Sequence, residues 1–240
     1  MNEEREKYIL EQLLKHKKVT VKDLAKELFV SEPSIRRDLA ALERKNLIHR
    51  VHGGAVIEET ALSKNKIPFA IREMEDSSSK LLIAEKAAAL VKDNDVIFLD
   101  ASTSVYHMIP FLALKNNITV VTNGVKALAA LAEYGIRTIS TGGELVSSCF
   151  ALVGEEAYKT IDSFNADITF FSCRGLSEDG FLTDIAPDEN YVRIRMIRHS
   201  KKAYLLCSEN KIGKKFYHNL CHRDDIDGVL TGTENMAIAH

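Results

Sequence analysis

The sequence predicts an α/β protein in two parts, a small head of helices and a β-ribbon followed by a larger body built on a largely parallel sheet. Three observations predict this. At 240 residues the chain is too long for one small module and too short for three ordinary domains. Up to about residue 45, apolar residues recur at one-turn spacing, and the stretch after them alternates and turns through two glycines. From Lys80 onward, helical segments alternate with short apolar runs, the pattern of a parallel sheet covered on both faces. The expected parts are a head over 1–57, a linker over 58–79 and a body over 80–240.

Composition narrows the class. With 45% hydrophobic and 28% charged residues the chain can bury a real core, which excludes wholesale disorder. No apolar run reaches the roughly 18 residues needed to span a bilayer. The opening Met1–Lys7 lacks the apolar region of a secretory signal, so a cytoplasmic protein is expected. Cys149, Cys173, Cys207 and Cys221 form no CxxC pair, which fits reduced thiols in that compartment. The net charge is −2, yet Met1 to Ile57 holds 12 Lys/Arg against 9 Asp/Glu. A mildly basic head on an acidic body suits a protein that touches an anion with one end.

In the head, Ile9, Leu10, Leu13 and Leu14 predict an amphipathic helix over Glu6 to His16. Thr20 can cap a second helix that buries Val21, Leu24, Ala25 and Leu28. Ser31 is a suitable cap for a third, with Pro33 in the first turn where its missing N–H costs nothing. That helix runs to about Lys45. At 100° per residue Ile35, Leu39 and Leu42 share one face, while Arg37 and Arg44 lie opposite and Arg36 flanks them. The segment Leu47–Val56 reads as a β-wing closing at Gly53-Gly54.

Two helices joined by a short turn, with arginines on the outer face of the second, define a helix-turn-helix. Arg36, Arg37 and Arg44 could fork onto guanine edges in a major groove. Ser31, Ser34, Arg50 and His52 would hold phosphates and fix the register. Solvation of an exposed helix face would explain the arginines alone, but not the cap, turn and wing in register with them.

Val-Ser-Glu-Pro-Ser-Ile-Arg-Arg-Asp-Leu-Ala-Ala-Leu-Glu (30–43) and His-Arg-Val-His-Gly-Gly-Ala (49–55) closely resemble the head of the DeoR family of transcriptional regulators. Pro33-Ser34 stands where a polar-Thr pair is more usual. The resemblance implies a winged helix-turn-helix that binds a double-stranded DNA operator.

In the body a helix through Leu82, Ile83, Ala87 and Leu90 is expected, followed by strand Val96–Leu99. Later strands are expected over Ile118–Val121, Arg137–Ser140, Asp167–Ser172, Ala203–Leu206 and Gly228–Thr231. In such sheets ligands bind beyond the strand C-termini. There the sequence places Asp100-Ala101-Ser102-Thr103-Ser104, Thr122-Asn123-Gly124 and Thr141-Gly142-Gly143-Glu144. Hydroxyls and free N–H groups at a helix start suit a phosphate, and glycines let backbone approach a ligand. Neither GxGxxG nor a Walker A loop follows the first strand, so a nucleotide fingerprint is lacking.

These loops, with Pro68, Arg72, Lys80, Glu189 and Lys211-Ile212-Gly213, are similar to the DeoR-family C-terminal sensor. That likeness implies a fold like ribose-5-phosphate isomerase and a phosphorylated-sugar effector. Carried over, Ser102, Thr103 and Ser104 would cradle phosphate and Lys211 would neutralise it; Asp100, Asn123, Gly142 and Glu189 would line the sugar side, and Thr122 and Gly143 complete the effector-binding set. Ser102 stands where Gly is common, Ser208 where an Asp usually precedes the Lys, and Arg193 where Lys is common. Arg174 is expected either to add an anion contact or to form a surface ion pair.

Two functional classes follow. One is a ligand-controlled repressor of carbohydrate-metabolism genes, acting as a homo-oligomer (dimer or tetramer) without cofactor. The other is a sugar-phosphate isomerase with Glu189 or Asp184 as base. The stretch Phe171-Ser172-Cys173-Arg174-Gly175 lacks the paired-Asp loop of those isomerases, and catalysis leaves the head unexplained. A binding pocket without turnover is therefore preferred. His218 and His222, four apart around Cys221, find no further ligands in the sequence, so no metal is expected.

Overall fold

The structure is a computed structural model that describes residues 3–45, 47–56 and 68–233. Ile57 and residues 58–67 of the expected linker lie outside the described residues, as do Met1, Asn2, Asn46 and 234–240. The chain forms two compact units, Met1–Glu75 and Asp76–His240.

The head runs α1 (Glu3–His16), β1 (Lys18–Thr20), α2 (Val21–Glu27), α3 (Glu32–Arg44), β2 (His49–Val51), β3 (Gly54–Val56) and α4 (Phe69–Met74). Ile9, Leu13, Leu24, Ile35, Leu39 and Leu42 are essentially sealed from solvent in its core. The wing is antiparallel with order β1-β3-β2, one strand more than the sequence suggested. Gly54 explains the extra strand, because a Cβ there would stand 2.0 Å from the Val19 carbonyl oxygen. Only glycine lets β3 pair with both neighbours.

The linker boundaries need correction. Phe69 and Ile71 are buried, and Ile71 joins the head core, so α4 belongs to the head. After Asp76, whose φ of 51° interrupts the helical path, α5 (Ser77–Ala89) opens the body three residues before Lys80. Apolar anchors inside a polar-looking stretch outweighed its composition.

The body continues with β4 (Val96–Leu99), α6 (Thr103–Tyr106), α7 (Ile109–Leu112), β5 (Thr119–Thr122), α8 (Val125–Glu133), β6 (Arg137–Ser140), β7 (Glu144–Val146), β8 (Ala151–Val153) and α9 (Glu155–Asp162). Then come β9 (Ile168–Phe171), β10 (Gly175–Leu176), β11 (Phe181–Asp184), α10 (Pro187–Arg198), β12 (Ala203–Leu206), β13 (His218–His222) and β14 (Gly228–Leu230). The main sheet has order β14-β12-β9-β4-β5-β6 and all its pairs are parallel. Along β4 the side chains alternate, Ile97 and Leu99 packing with α5 residues Ile83 and Ala87 while Phe98 packs with Val192 and Met196 of α10. Both faces are covered, as a parallel sheet requires.

The hairpin β7–β8 and the antiparallel sheet β10-β11-β13 were not foreseen. Their strands are two to five residues long and carry mixed polarity, so no period-two signal develops. On α5, Leu82 and Leu90 are 52% and 39% exposed, and small Ala84 and Ala88 take the inward positions beside Ile83 and Ala87.

Candidate functional site

In the head, the Thr20 side chain accepts from the Asp23 N–H at 3.1 Å and starts α2. The chain then turns through Phe29, at φ 53°, into α3. Ser31 stands extended at the cap position, but its side chain makes no capping bond. Its Oγ instead meets Ser34 Oγ at 3.0 Å. The buried face of α3 is the expected one, with Asp38 joining it.

Outward stand Arg36, Arg37 and Arg44, with Arg50 and His52 exposed on the wing. Their engagements differ. Arg36 donates to Glu32 at 3.0 Å, an exposed i,i+4 ion pair. Arg37 donates to Ser34 Oγ at 3.2 Å and the Pro33 carbonyl at 3.4 Å, and Arg44 to the Ala40 carbonyl at 3.4 Å. Ser34, Arg37 and Arg44 recur at three- and seven-residue steps and so form one stripe, whose two arginines make no ion pair among the described residues. Arg36 sits off that stripe.

In the body, β4, β5 and β6 proceed one way across the sheet while β9, β12 and β14 proceed the other. The switch point lies between β4 and β9, where α/β sheets open a crevice beyond their strand ends. Asp100 and Ser172 follow those two strands. Asp100 accepts from the Ser172 N–H at 3.2 Å, from the Ser102 N–H at 3.0 Å and from Arg193 Nε at 2.9 Å. It is 1% exposed and braces the loop walls, where the family resemblance had it lining the sugar side.

Arg193 is the hub the sequence reading passed over as a departure. Besides Asp100 it donates to Asp184 at 3.0 Å, Asn190 at 3.0 Å and Glu189 at 3.1 Å. Burial alone would lower its pKa; Asp184, Asp100 and Glu189 overcome that and hold it above the ordinary arginine value. One planar, forked cation joins the end of β4, the end of β11 and α10. Asp184 and Glu189, the candidate bases of an isomerase, are thus both engaged.

The other residues divide between two groups. Lys211 donates to Ser172 Oγ at 2.7 Å, which ties it to the Asp100 wall. Arg174 lies 3.6 Å from Asp184 with its side chain a quarter exposed. Thr122 accepts from the Gly124 N–H, and Asn123 bonds with β8 in both directions through Leu152. Gly143, at φ 111°, packs against the same strand, where a Cβ would stand 2.4 Å from the Val153 carbonyl oxygen; Gly142 is open. Cys149, after β7, approaches Glu189 at 3.4 Å and links that hairpin to α10.

Ser102 caps α6, accepting from the Val105 N–H at 3.3 Å. Thr103 and Ser104 follow it, both buried. Ser104 Oγ and Asn123 Oδ1 meet no hydrogen-bond partner among the described residues. A buried polar atom left so costs about 1–3 kcal/mol, and both stand at C-terminal ends of adjacent strands.

His218 and His222 are separately engaged, His218 with Asn190 at 2.9 Å and His222 with the Asp179 carbonyl at 3.0 Å. Burial pushes the Cys173, Cys207 and Cys221 thiols up to about 12, 11 and 12. No helix among the described residues is long and apolar enough to cross a membrane.

An arginine-bearing helix-turn-helix with a wing, followed in the chain by a parallel α/β domain, defines a two-domain DNA-binding regulator. Residues 5–61 match the DeoR-like helix-turn-helix domain and residues 75–233 the DeoR C terminal sensor domain. The chain belongs to the DeoR family and is a DNA-binding transcriptional regulator, not an enzyme.

It is 32% identical to an uncharacterised HTH-type transcriptional regulator, FruR, of Bacillus subtilis, over 97% of this chain and 92% of that one. It is 28% identical to the lactose phosphotransferase system repressor of Staphylococcus epidermidis, over 91% and 87%. To the L-fucose operon activator of Haemophilus influenzae it is 32% identical, over 95% and 90%. Among solved structures, eIF2B delta from Chaetomium thermophilum shares the fold at TM-score 0.52 and 15% identity, over 73% of this chain and 60% of that one. A ribose 5-phosphate isomerase from Methanocaldococcus jannaschii aligns at TM-score 0.44 and 18% identity, over 57% and 55%.

Proposed function

We propose that this regulator represses carbohydrate-metabolism genes and leaves its operator when a phosphorylated sugar enters the crevice of the body. It does so as a homo-oligomer, dimer or tetramer, in the cytoplasm. One observation carries the ligand class: the hydroxyls of 102–104, at the start of the helix that follows β4, include Ser104 Oγ, buried and without a hydrogen-bond partner among the described residues. Lys211 is bound into the same wall through Ser172. Hydroxyls, helix-start N–H groups and one lysine suit a phosphate, and Asn123 Oδ1 suits a sugar hydroxyl.

The relative named as a lactose phosphotransferase system repressor favours repression. The relative named as an operon activator supplies the contrary direction that a test must admit. A ligand shifts the head only by binding the two states unequally, and a coupling of about 1–3 kcal/mol changes operator affinity about 5- to 150-fold.

Thermal unfolding against a panel of pentose and hexose phosphates, each beside its unphosphorylated sugar, tests the reading. One phosphorylated member at about 100 times its Kd should stabilise the protein by about 2.7 kcal/mol. The same compound should weaken binding to a duplex selected by the protein. A panel without any selective stabiliser rejects the effector class, and tighter DNA binding rejects release.

A further inference from the structure

Beside the recognition helix lies a cleft of about 300 Å³, lined by Arg5 of α1 and by Ser34, Arg37, Asp38, Ala41 and Arg44 of α3. Three guanidinium groups thus face one carboxylate, and that carboxylate is already spent. Arg5 grips Asp38 with two bonds, Nε to Oδ2 at 2.6 Å and Nη2 to Oδ1 at 3.0 Å. Asp38 is 5% exposed, whereas the Arg5 side chain keeps a quarter of its surface open. A guanidinium carries five N–H donors, so two bonds to Asp38 leave three. Among the described residues Arg37 and Arg44 bond only to neutral oxygens, at 3.2–3.4 Å. Lys45 holds Glu6 at 2.7 Å and pins α1 to α3 at the side of this cleft.

We propose that the cleft between α1 and α3 receives one backbone phosphate of bound DNA, with Arg5 and Arg44 as its contacts and Asp38 as the residue that positions Arg5. The inference rests on the DNA-binding reading of α3 and adds a contact from a helix outside the helix-turn-helix. The cleft opens on the stripe Ser34, Arg37, Ala41 and Arg44, which any duplex lying on α3 must meet. A phosphodiester carries one charge and suits a lining whose excess is about two. Such a contact reads no base. It fixes the angle of α3 in the groove.

The full-length chain, a duplex it selects from a random library and a 30-base-pair mixed-sequence duplex supply the test. The double variant Arg5→Gln with Asp38→Asn removes the contact without leaving a buried carboxylate unpaired. It should weaken both duplexes alike, about 3- to 10-fold, and leave the slope of log affinity against log salt nearly unchanged because the pair it replaces is neutral overall; Arg44→Gln, which removes a net charge, should flatten that slope by about one. Arg5→Lys, which keeps the cation, should keep most of the affinity, whereas Asp38→Asn alone, which loosens the hold on Arg5, should lose part of it on both duplexes. Should the double variant fail to fold, exposed Arg44→Gln carries the same expected loss of affinity.

Unchanged affinity in the folded double variant, or in Arg44→Gln, overturns the inference and leaves the DNA reading standing. So does a loss confined to the selected duplex, which would make Arg5 a reader of shape or sequence. Inorganic phosphate that stabilises the wild type but not the double variant, with the DNA affinity unchanged, assigns the cleft to a free anion and overturns it too. A wild-type protein that binds neither duplex defeats the operator reading itself.

Discussion

In the head, Arg36, Arg37 and Arg44 stand in solvent on a helix whose other face is sealed, while in the body Arg193 is buried and bonded to four acceptors. The same side chain serves opposite ends. An exposed guanidinium on a rigid helix keeps its donors for a partner and contributes little to folding. A buried one gives its donors to the protein and orders the loops that receive a partner. The head offers chemistry made by single side chains, and the body offers chemistry made by loops that a network holds.

The sharpest way to break this contrast is Arg193→Met. It leaves Asp100, Asp184 and Glu189 without their shared cation, and removal of one partner from a buried ionic cluster costs about 3–5 kcal/mol. Urea unfolding with hydrogen exchange should place the loss in the body and spare the head. Arg36→Met, which breaks an exposed pair, should cost no more than about 1 kcal/mol. If the two substitutions cost the same, Arg193 is not the hub described.

Alkaline pH separates the units next. All four cysteines lie in the body, and burial raises the thiols of Cys173, Cys207 and Cys221. Above the ordinary thiol value near 9 the unfolded chain loses protons that the folded body retains, so stability falls as pH rises through about 9 to 12. The loss is at most about 1.4 kcal/mol per thiol per pH unit. Body unfolding at pH 8 and pH 10 should therefore differ more in the wild type than in a variant with these three cysteines replaced by alanine. An equal difference would show that the thiols titrate normally.

Arg37→Ala follows, with an expected loss of about 1–3 kcal/mol in binding to a selected duplex and relaxed choice at one base pair. Arg36→Ala should cost less, because Glu32 already holds that guanidinium. Competition titrations against single-base variants of the duplex check this. Equal losses would mean the ion pair dissolves on binding and that both arginines read bases.

Which parts were legible in the sequence follows from the same contrast. The head could be read because one helix with Ile35, Leu39 and Leu42 at helical spacing already states which way Arg37 and Arg44 point. Gly53-Gly54 announced the wing, although the third strand depended on the missing Cβ of Gly54 against Val19, a tertiary fact. In the body the parallel strands were legible as apolar runs, and the polar loops at their ends followed from strand direction. Arg193 was not legible as a hub. Its partners lie up to 93 residues away, and nothing in a local pattern tells a buried arginine on a helix from an exposed one. The hairpin β7–β8, which engages Asn123 and Gly143, was invisible for its shortness.

The smallest expected effect concerns Leu82. Leu82 and Ile83 are neighbours on α5, and only one of two adjacent leucine-type positions can face the sheet. Ile83 took it, leaving Leu82 52% and Leu81 45% exposed on α5. Replacing an exposed leucine on a helix by glutamine changes stability by no more than about 0.5 kcal/mol, since helix propensity is nearly equal and little area is lost. Urea unfolding of Leu82→Gln should match the wild type within that margin at every protein concentration. A loss that grows as the protein is concentrated would instead show Leu82 covered by a second copy, and the outer face of α5 would then count with the buried surfaces of the body.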